Sequence, residues 1–367
     1  MLPGIDVLLT DSLHLVRGKR VGLITNQTGV DAAGVPTIDR LARAPGVRLV
    51  ALFAPEHGIR GRAAPGEPVS DSVDAATGIP IYSLYGASRA PTAAQLARLD
   101  VLVVDLQDVG ARPYTYVSTV VLALRAAAAA HRRVVVLDRP DPVGGCVVQG
   151  PILDTAFASF MGMLPVPLRH GLTMGELARF ANARLLIGAD LVVVPMRGWR
   201  RCDWFDRTGL PWVRPSPNLP DLESVAWYPG TVLFEATNLS VGRGTDAPFR
   251  QVGAPWLRAD AVVRRMRARY GVALEAVRFT PRGSGDGKFE GVEVSGVRLP
   301  AADRVHGDPV RVALQLLRTV AALHPGQFRA DTLGLERRLG VPLGTAVAWP
   351  GDLGRFLGER APYLLYR

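Results

Sequence analysis

VLVVDLQDVGARPYTY, residues 101–116, joins a solid apolar run to a polar segment rich in acids, arginine and tyrosine. An apolar run without alternation belongs to a strand covered on both faces, as in a parallel sheet. The same pattern recurs along the chain. VGLIT (21–25), VRLVALF (47–53), IPIYSL (79–84), VVVLD (134–138) and LVVVPM (191–196) read as further strands. Helical stretches lie between them: Thr37 to Arg43, Thr92 to Leu99 with Thr92 as cap, Tyr116 to His131, and Thr173 to Leu186 closing on Gly188. This alternation specifies stacked βαβ units, so the expected fold is α/β, an open, doubly wound, mostly parallel sheet.

From Leu210 to Phe249 the pattern changes to an irregular stretch dense in Pro, Gly, Asn and Trp. So long an irregular segment reads as a functional loop, and its aromatic content argues against disorder. After Pro255 come a helix from Ala259 to Tyr270 stopped by Gly271, a β-rich stretch from Val277 to Leu299 broken by an RGSGDG turn, and a helix from Pro309 to Leu323. A short tail, FLGERAPYLLY, closes the chain. The expected organisation is a larger unit over 1–240 and a smaller α+β unit over 241–367.

The chain has 367 residues, 48% of them hydrophobic and 21% charged, the composition of a soluble globular protein. Its formal charge of +10 is carried by arginine, since Lys19 and Lys288 are the only lysines. A cationic surface favours anionic partners. The arginines are scattered and form no basic stripe, which argues against nucleic acid as the partner. Cys146 and Cys202 lie far apart in no metal-type spacing, which leaves one bridge open. The N-terminus MLPGIDVLL has no basic segment followed by an apolar core and cleavage site. The expectation is a cytoplasmic chain as written, or a secreted or periplasmic one if it is already processed. The longest apolar stretch, Val117 to Ala130, carries Arg125 and is too short to span a bilayer, so no membrane partner is expected. Oligomeric state is not legible.

In open α/β sheets ligands bind beyond the carboxyl ends of the strands. Three strand ends carry the polar residues to inspect. Glu56, His57, Arg60 and Arg62 follow the second strand; Asp105, Gln107, Asp108, Arg112, Tyr114 and Tyr116 follow the fourth; Asp138 and Arg139 follow the fifth. Two later segments are expected to close the same crevice. One holds His170 and Glu176, although Thr173 and Glu176 also have the spacing of a capping box. The other, residues 214–249, holds Asn218, Tyr228, Glu235, Asn238 and Arg243, where aromatic platforms and amides suit a sugar ring. There is no serine nucleophile elbow, phosphate loop, His-Glu-x-x-His or Cys-x-x-Cys. GRGTDA at 242–247 matches a dinucleotide fingerprint only formally. No cofactor and no metal are expected, though His57 with Glu56, Asp105 and Asp108 keeps a metal-dependent hydrolase as an alternative.

As a set, PEHGIRG, DLQDVGARPYTY, LDRPDP, LRHGLTMGEL, PSPNLP, YPGTVLFEATNLSVGRGTDAPF and the terminal YLLY resemble the successive signatures of the exo-β-N-acetylmuramidases, the NamZ-type family formerly filed as a domain of unknown function. The resemblance runs in order from about Gly4 to Tyr366. It implies a Rossmann-like domain joined to a smaller C-terminal domain, with the active site in the cleft between them. It also implies removal of terminal N-acetylmuramic acid from the non-reducing end of peptidoglycan fragments. Three positions depart from the pattern: Asp141 stands where asparagine is expected, Gln149 where glutamate is frequent, and Ala236 where glycine is usual.

Glycoside hydrolysis usually needs two carboxyl groups flanking the bond. Glu56 is the first choice as general acid and Glu235 as its partner, with Glu176 and Asp105 behind it. The acetamido group of the substrate is an alternative nucleophile. The substrate is a small anionic amino sugar whose lactyl carboxylate suits a guanidinium fork, which makes Arg60, Arg112 and Arg243 candidate selectors. The remaining competing reading is a non-catalytic binder of wall sugars.

Overall fold

The computed structural model describes residues 1–61, 66–67, 70–345 and 350–367. The apolar runs form strands β1 (Arg20–Thr25), β2 (Arg48–Ala54), β3 (Ser72–Val73), β4 (Pro80–Ser83), β5 (Val101–Asp105) and β6 (Arg133–Leu137), then a separate pair, β7 (Gln149–Ile152) and β8 (Pro167–Arg169), then β9 (Leu191–Val194). Seven of them make one sheet in the order β3-β4-β2-β1-β5-β6-β9. Every neighbouring pair in it is parallel except β3 with β4. The order reverses between β1 and β5, which makes the fold doubly wound, as expected from sequence.

β5 accounts for the layering. Its successive side chains point to opposite faces. Val101 and Val103 enter one apolar cluster with Ile5, Leu8, Ile38 and Leu41, from helices α1 (Gly4–Asp11) and α2 (Thr37–Arg43). Leu102 and Val104 enter the other, with Leu96, Leu124 and Phe180, from α3 (Ala93–Ala97), α4 (Tyr116–Ala129) and α5 (Met174–Arg184). Burial on both faces is the reason the run has no polar alternation.

The stretch expected to be irregular contains helix α6 (Leu222–Thr231), which passes directly into a 3-10 turn, Val232–Ala236. Asp221 caps α6 by accepting from the Ser224 amide at 2.8 Å. Every residue from Ser224 to Thr231 is buried, so the helix has no polar face to generate a 3.6-residue period. Pro229 and Gly230 further mask it in sequence. Gly230 is where α6 meets the next unit: a Cβ there would lie 2.1 Å from the Pro309 carbonyl oxygen.

The smaller unit carries β10 (Gln251–Ala254), α7 (Ala259–Tyr270), β11 (Glu275–Phe279), β12 (Val294–Arg298) and α8 (Pro309–Leu323), with its antiparallel sheet in the order β10-β12-β11. Two helices then follow, α9 (Thr332–Leu339), in a stretch for which no element was expected, and α10 (Pro350–Arg360), which runs into the expected tail. The units share one apolar cluster that includes Val104, Phe234 and Val320. Cys146 and Cys202 form a disulfide with Cα atoms 5.0 Å apart, joining the loops that follow β6 and β9. Among the described residues no helix is long and apolar enough to cross a membrane.

Candidate active site

β2 ends at Ala54 and delivers Glu56 to a cavity of about 430 Å³. The Glu56 Oε2 accepts from the Thr115 hydroxyl at 2.7 Å and its Oε1 from the Gly66 amide at 3.1 Å. Thr115 is the residue before α4, so the strand end and the helix entry hold this carboxyl jointly. Burial first, then the charge and hydrogen bond of Glu56, push the Tyr85 phenol up to about 12. Tyr85 is therefore a neutral donor throughout the ordinary pH range. His57 lines the cavity at 3% exposure with φ 71, a left-handed conformation uncommon for residues other than glycine.

A second wall comes from α6 and its 3-10 turn. Pro229 cannot donate to the helix ladder, and three residues on the chain tightens into the turn that carries Glu235. Glu235 is ion-paired with Arg243, whose Nε donates at 3.1 Å, and its other oxygen lies 3.6 Å from Arg338. Beneath it the Lys288 ammonium donates to the carbonyls of Phe234 at 3.4 Å, Glu235 at 3.0 Å and Leu239 at 3.1 Å. Burial lowers the pKa of Lys288. The Arg243 guanidinium lies 5.4 Å from the Phe249 ring centroid, and Phe249 is also held at positive φ, 61°. Phe249 packs edge-on to Tyr228 at 4.9 Å, Tyr228 to Tyr114 at 6.0 Å, and Tyr114 to Tyr116 at 4.7 Å. Both Tyr114 and Tyr116 donate to the Pro215 carbonyl, and burial holds all three phenols far above their ordinary range.

The third wall is Tyr85, Arg89, Ser159, Phe160 and Met161, with Arg89 stacked 4.1 Å over the Phe160 ring. Arg337, from α9, also lines the cavity.

Of the residues expected from sequence, Glu56, His57, Tyr114, Tyr228, Glu235 and Arg243 line this cavity together. The other described ones do not line it, and each has a visible structural employment. Asp105 is paired with Arg139 and accepts from Thr37, filling the reversal point between β1 and β5 with the protein's own charges. Gln107 donates to the carbonyls of Asp108 and Pro140. Asp108 accepts from the Gly110 amide and faces His170 at 3.2 Å. Arg112 is fully enclosed and donates to the carbonyls of Pro151, Val166 and Arg338, and burial lowers its pKa to about 9. Asp138 accepts from Thr173, the Gly175 amide and the Tyr366 hydroxyl. Glu176 completes the capping box with Thr173 and pairs with Arg201. Tyr116 accepts from Asn26 at 2.6 Å, and Asn238 bridges Gln327 and Arg329. Asn218 is buried beside Ser216, with its backbone amide on the Ser216 hydroxyl. Arg60 pairs with Asp74 at 2.8 Å, and Arg62 lies outside the described residues. The expected crevice over three strand ends is thus corrected: the ends of β5 and β6 are closed by internal ion pairs, and the cavity opens between β2 and α6.

Sequence reasoning overlooked Thr115, Tyr85, Arg89, Phe160 and Arg337. Tyr85 and Arg89 were within reach, because they directly follow an expected strand, residues 79–84. Phe160 and Arg337 carry no such signal. Among the described residues no group of three or more His, Cys, Asp or Glu has metal-holding geometry.

The family model described as Exo-beta-N-acetylmuramidase NamZ, N-terminal, matches residues 21–223, and its C-terminal counterpart matches 226–366. The chain belongs to the NamZ family. It is similar to the peptidoglycan beta-N-acetylmuramidase NamZ of Bacillus subtilis (strain 168), with 41% identity over 378 residues covering 99% of this chain and 91% of the relative. Two crystal structures of DUF1343-family proteins from Bacteroides fragilis NCTC 9343 share the fold. One has TM-score 0.91 and 34% identity, the other TM-score 0.78 and 30% identity; each comparison covers 100% of this chain and 99% of the other. The expected NamZ-type membership and α/β fold therefore both hold.

Proposed function

We propose that this NamZ-family chain is an exo-acting β-N-acetylmuramidase that releases terminal β-linked N-acetylmuramic acid from the non-reducing end of peptidoglycan fragments. The observation that carries the reading is that Glu56 and Glu235 line one cavity from separate segments, with different partners. Two carboxyl groups in unlike surroundings are what acid-assisted cleavage of a glycosidic bond needs. Glu56 carries the proton to the departing oxygen. Thr115 and the Gly66 amide hold its carboxyl in place, and the neutral Tyr85 phenol keeps a donor on it. Glu235 is the resident anion whose charge Arg243 and Arg338 match, opposing the positive charge that develops on the sugar ring. The aromatic edges of Tyr114, Tyr228 and Phe249 supply an apolar floor for a sugar face. A cavity of about 430 Å³ is within the size range of small-ligand sites.

Glu56→Gln removes the ionisable group with little change of shape. It should lower turnover of a chromogenic β-N-acetylmuramide by roughly a hundredfold or more while the thermal melt is kept. Normal turnover in that variant would withdraw Glu56 as the proton carrier. Product analysis with a muramic acid–N-acetylglucosamine disaccharide separates enzyme from binder, because a binder saturates without releasing product. The Cys146–Cys202 bridge supports action in an oxidising compartment rather than the cytoplasmic residence expected from the N-terminus.

A further inference from the structure

Most guanidiniums at or near the cavity are already committed. Arg243 and Arg338 face Glu235, Arg112 is turned to three carbonyls, and Arg60 is turned to Asp74. Arg89 and Arg337 line the cavity with no carboxylate or carbonyl partner among the described residues. Arg89 is also pre-set. Its guanidinium lies 4.1 Å over the Phe160 ring, a ring that itself packs 6.2 Å from Tyr85, the phenol on Glu56. Stacking on an aromatic face restrains the plane of a guanidinium and leaves its N–H edge open to a planar anion.

We infer that Arg89, held by Phe160 beside Tyr85, is the carboxylate fork that selects a sugar bearing an acidic ether substituent over plain N-acetylglucosamine. The inference rests on the muramidase reading and names its specificity residue. A lactyl carboxylate lies beside the scissile bond without taking part in it, so its charge is the same before and during cleavage. Its contact with Arg89 is therefore uniform binding, which appears in KM far more than in kcat.

The test uses Arg89→Ala, Arg89→Lys, Phe160→Leu and Arg337→Ala in the full chain. Each is assayed for kcat and KM on a chromogenic β-N-acetylmuramide and for binding of free N-acetylmuramic acid and N-acetylglucosamine by calorimetry. Loss of a bidentate charged contact should weaken muramic acid binding and raise KM roughly 10- to 100-fold in Arg89→Ala, with N-acetylglucosamine binding and kcat changed far less. Arg89→Lys keeps the charge but not the fork and should fall between, as should Phe160→Leu. The proposal is overturned if Arg89→Ala keeps the muramic acid preference, or if Arg337→Ala abolishes it while Arg89→Ala does not. Failure of the parent protein to release muramic acid would overturn the function itself. The binding ratio would still report on Arg89.

Discussion

Asp141 occupies the position where the family pattern leads one to expect asparagine, and its surroundings explain why the amide would be at ease there. It is fully enclosed, with the Val143 amide on its Oδ1 at 3.1 Å. Burial pushes its carboxyl up to about 7; Asp108 adds to the rise, and His170 and Arg169 oppose it. Between about pH 4 and 7 the folded chain thus keeps a proton that the unfolded chain has lost, so stability falls as pH rises through that window. Asp141→Asn removes this slope. The variant should match the parent near pH 4 and exceed it at pH 8 by up to about 4 kcal/mol in urea unfolding. Parallel stability curves across that range would count against the burial of a titrating carboxyl. The same residue shows what a sequence cannot say about polar groups after a strand. Asp105, Asp108, Asp138 and Arg139 follow apolar runs as plainly as Glu56 does, yet Asp105 pairs with Arg139, Asp108 faces His170 and Asp138 accepts from Thr173. Only the three-dimensional partner distinguishes a strut from a site.

At the scale of the element, legibility follows burial. Strands β1, β5 and β9 and helices α7 and α8 were readable because an apolar run or an amphipathic period marks them, and Gly271 at φ 70 stops α7 as its position predicts. Helix α6 was not, since a helix buried on all sides has no period to read. The 3-10 turn after it is the element on which the proposed chemistry depends. Lys288 reaches from the loop between β11 and β12 and ties the Phe234 and Glu235 carbonyls of that turn to the Leu239 carbonyl beyond its exit. Lys288→Met leaves those oxygens without their donor and frees the backbone that aims Glu235. The expected result is kcat down roughly ten- to a hundredfold with a smaller change in KM, and partial recovery in Lys288→Arg. An unchanged kcat would show that the turn holds its shape without the clamp.

The whole molecule is drawn together at the edge of the sheet where β9 lies. The Tyr366 hydroxyl donates to Asp138 at 2.6 Å and accepts from the Met196 amide at 2.9 Å, and the Leu2 amide donates to the Arg197 carbonyl at 2.9 Å. The Cys146–Cys202 bridge closes a separation of 56 residues in the same region. Loop-closure entropy gives such a bridge about 4 kcal/mol of stabilisation. Reduction, or the double change to serine, should lower the thermal midpoint by several degrees while the activity at low temperature persists. Identical melts with and without reductant would remove the bridge from the stability of the fold.

The near-contact of Gly230 with Pro309 has a further consequence. Glu56 rides on the sheet, whereas Glu235 rides on a turn whose bearing is set by α6 lying flush against the first residue of α8. The span between the two acids is therefore a mechanical setting, fixed by a wedge point away from any sugar. A substitution that thickens that joint should therefore change the spacing of the two acids while every residue lining the cavity stays as it is.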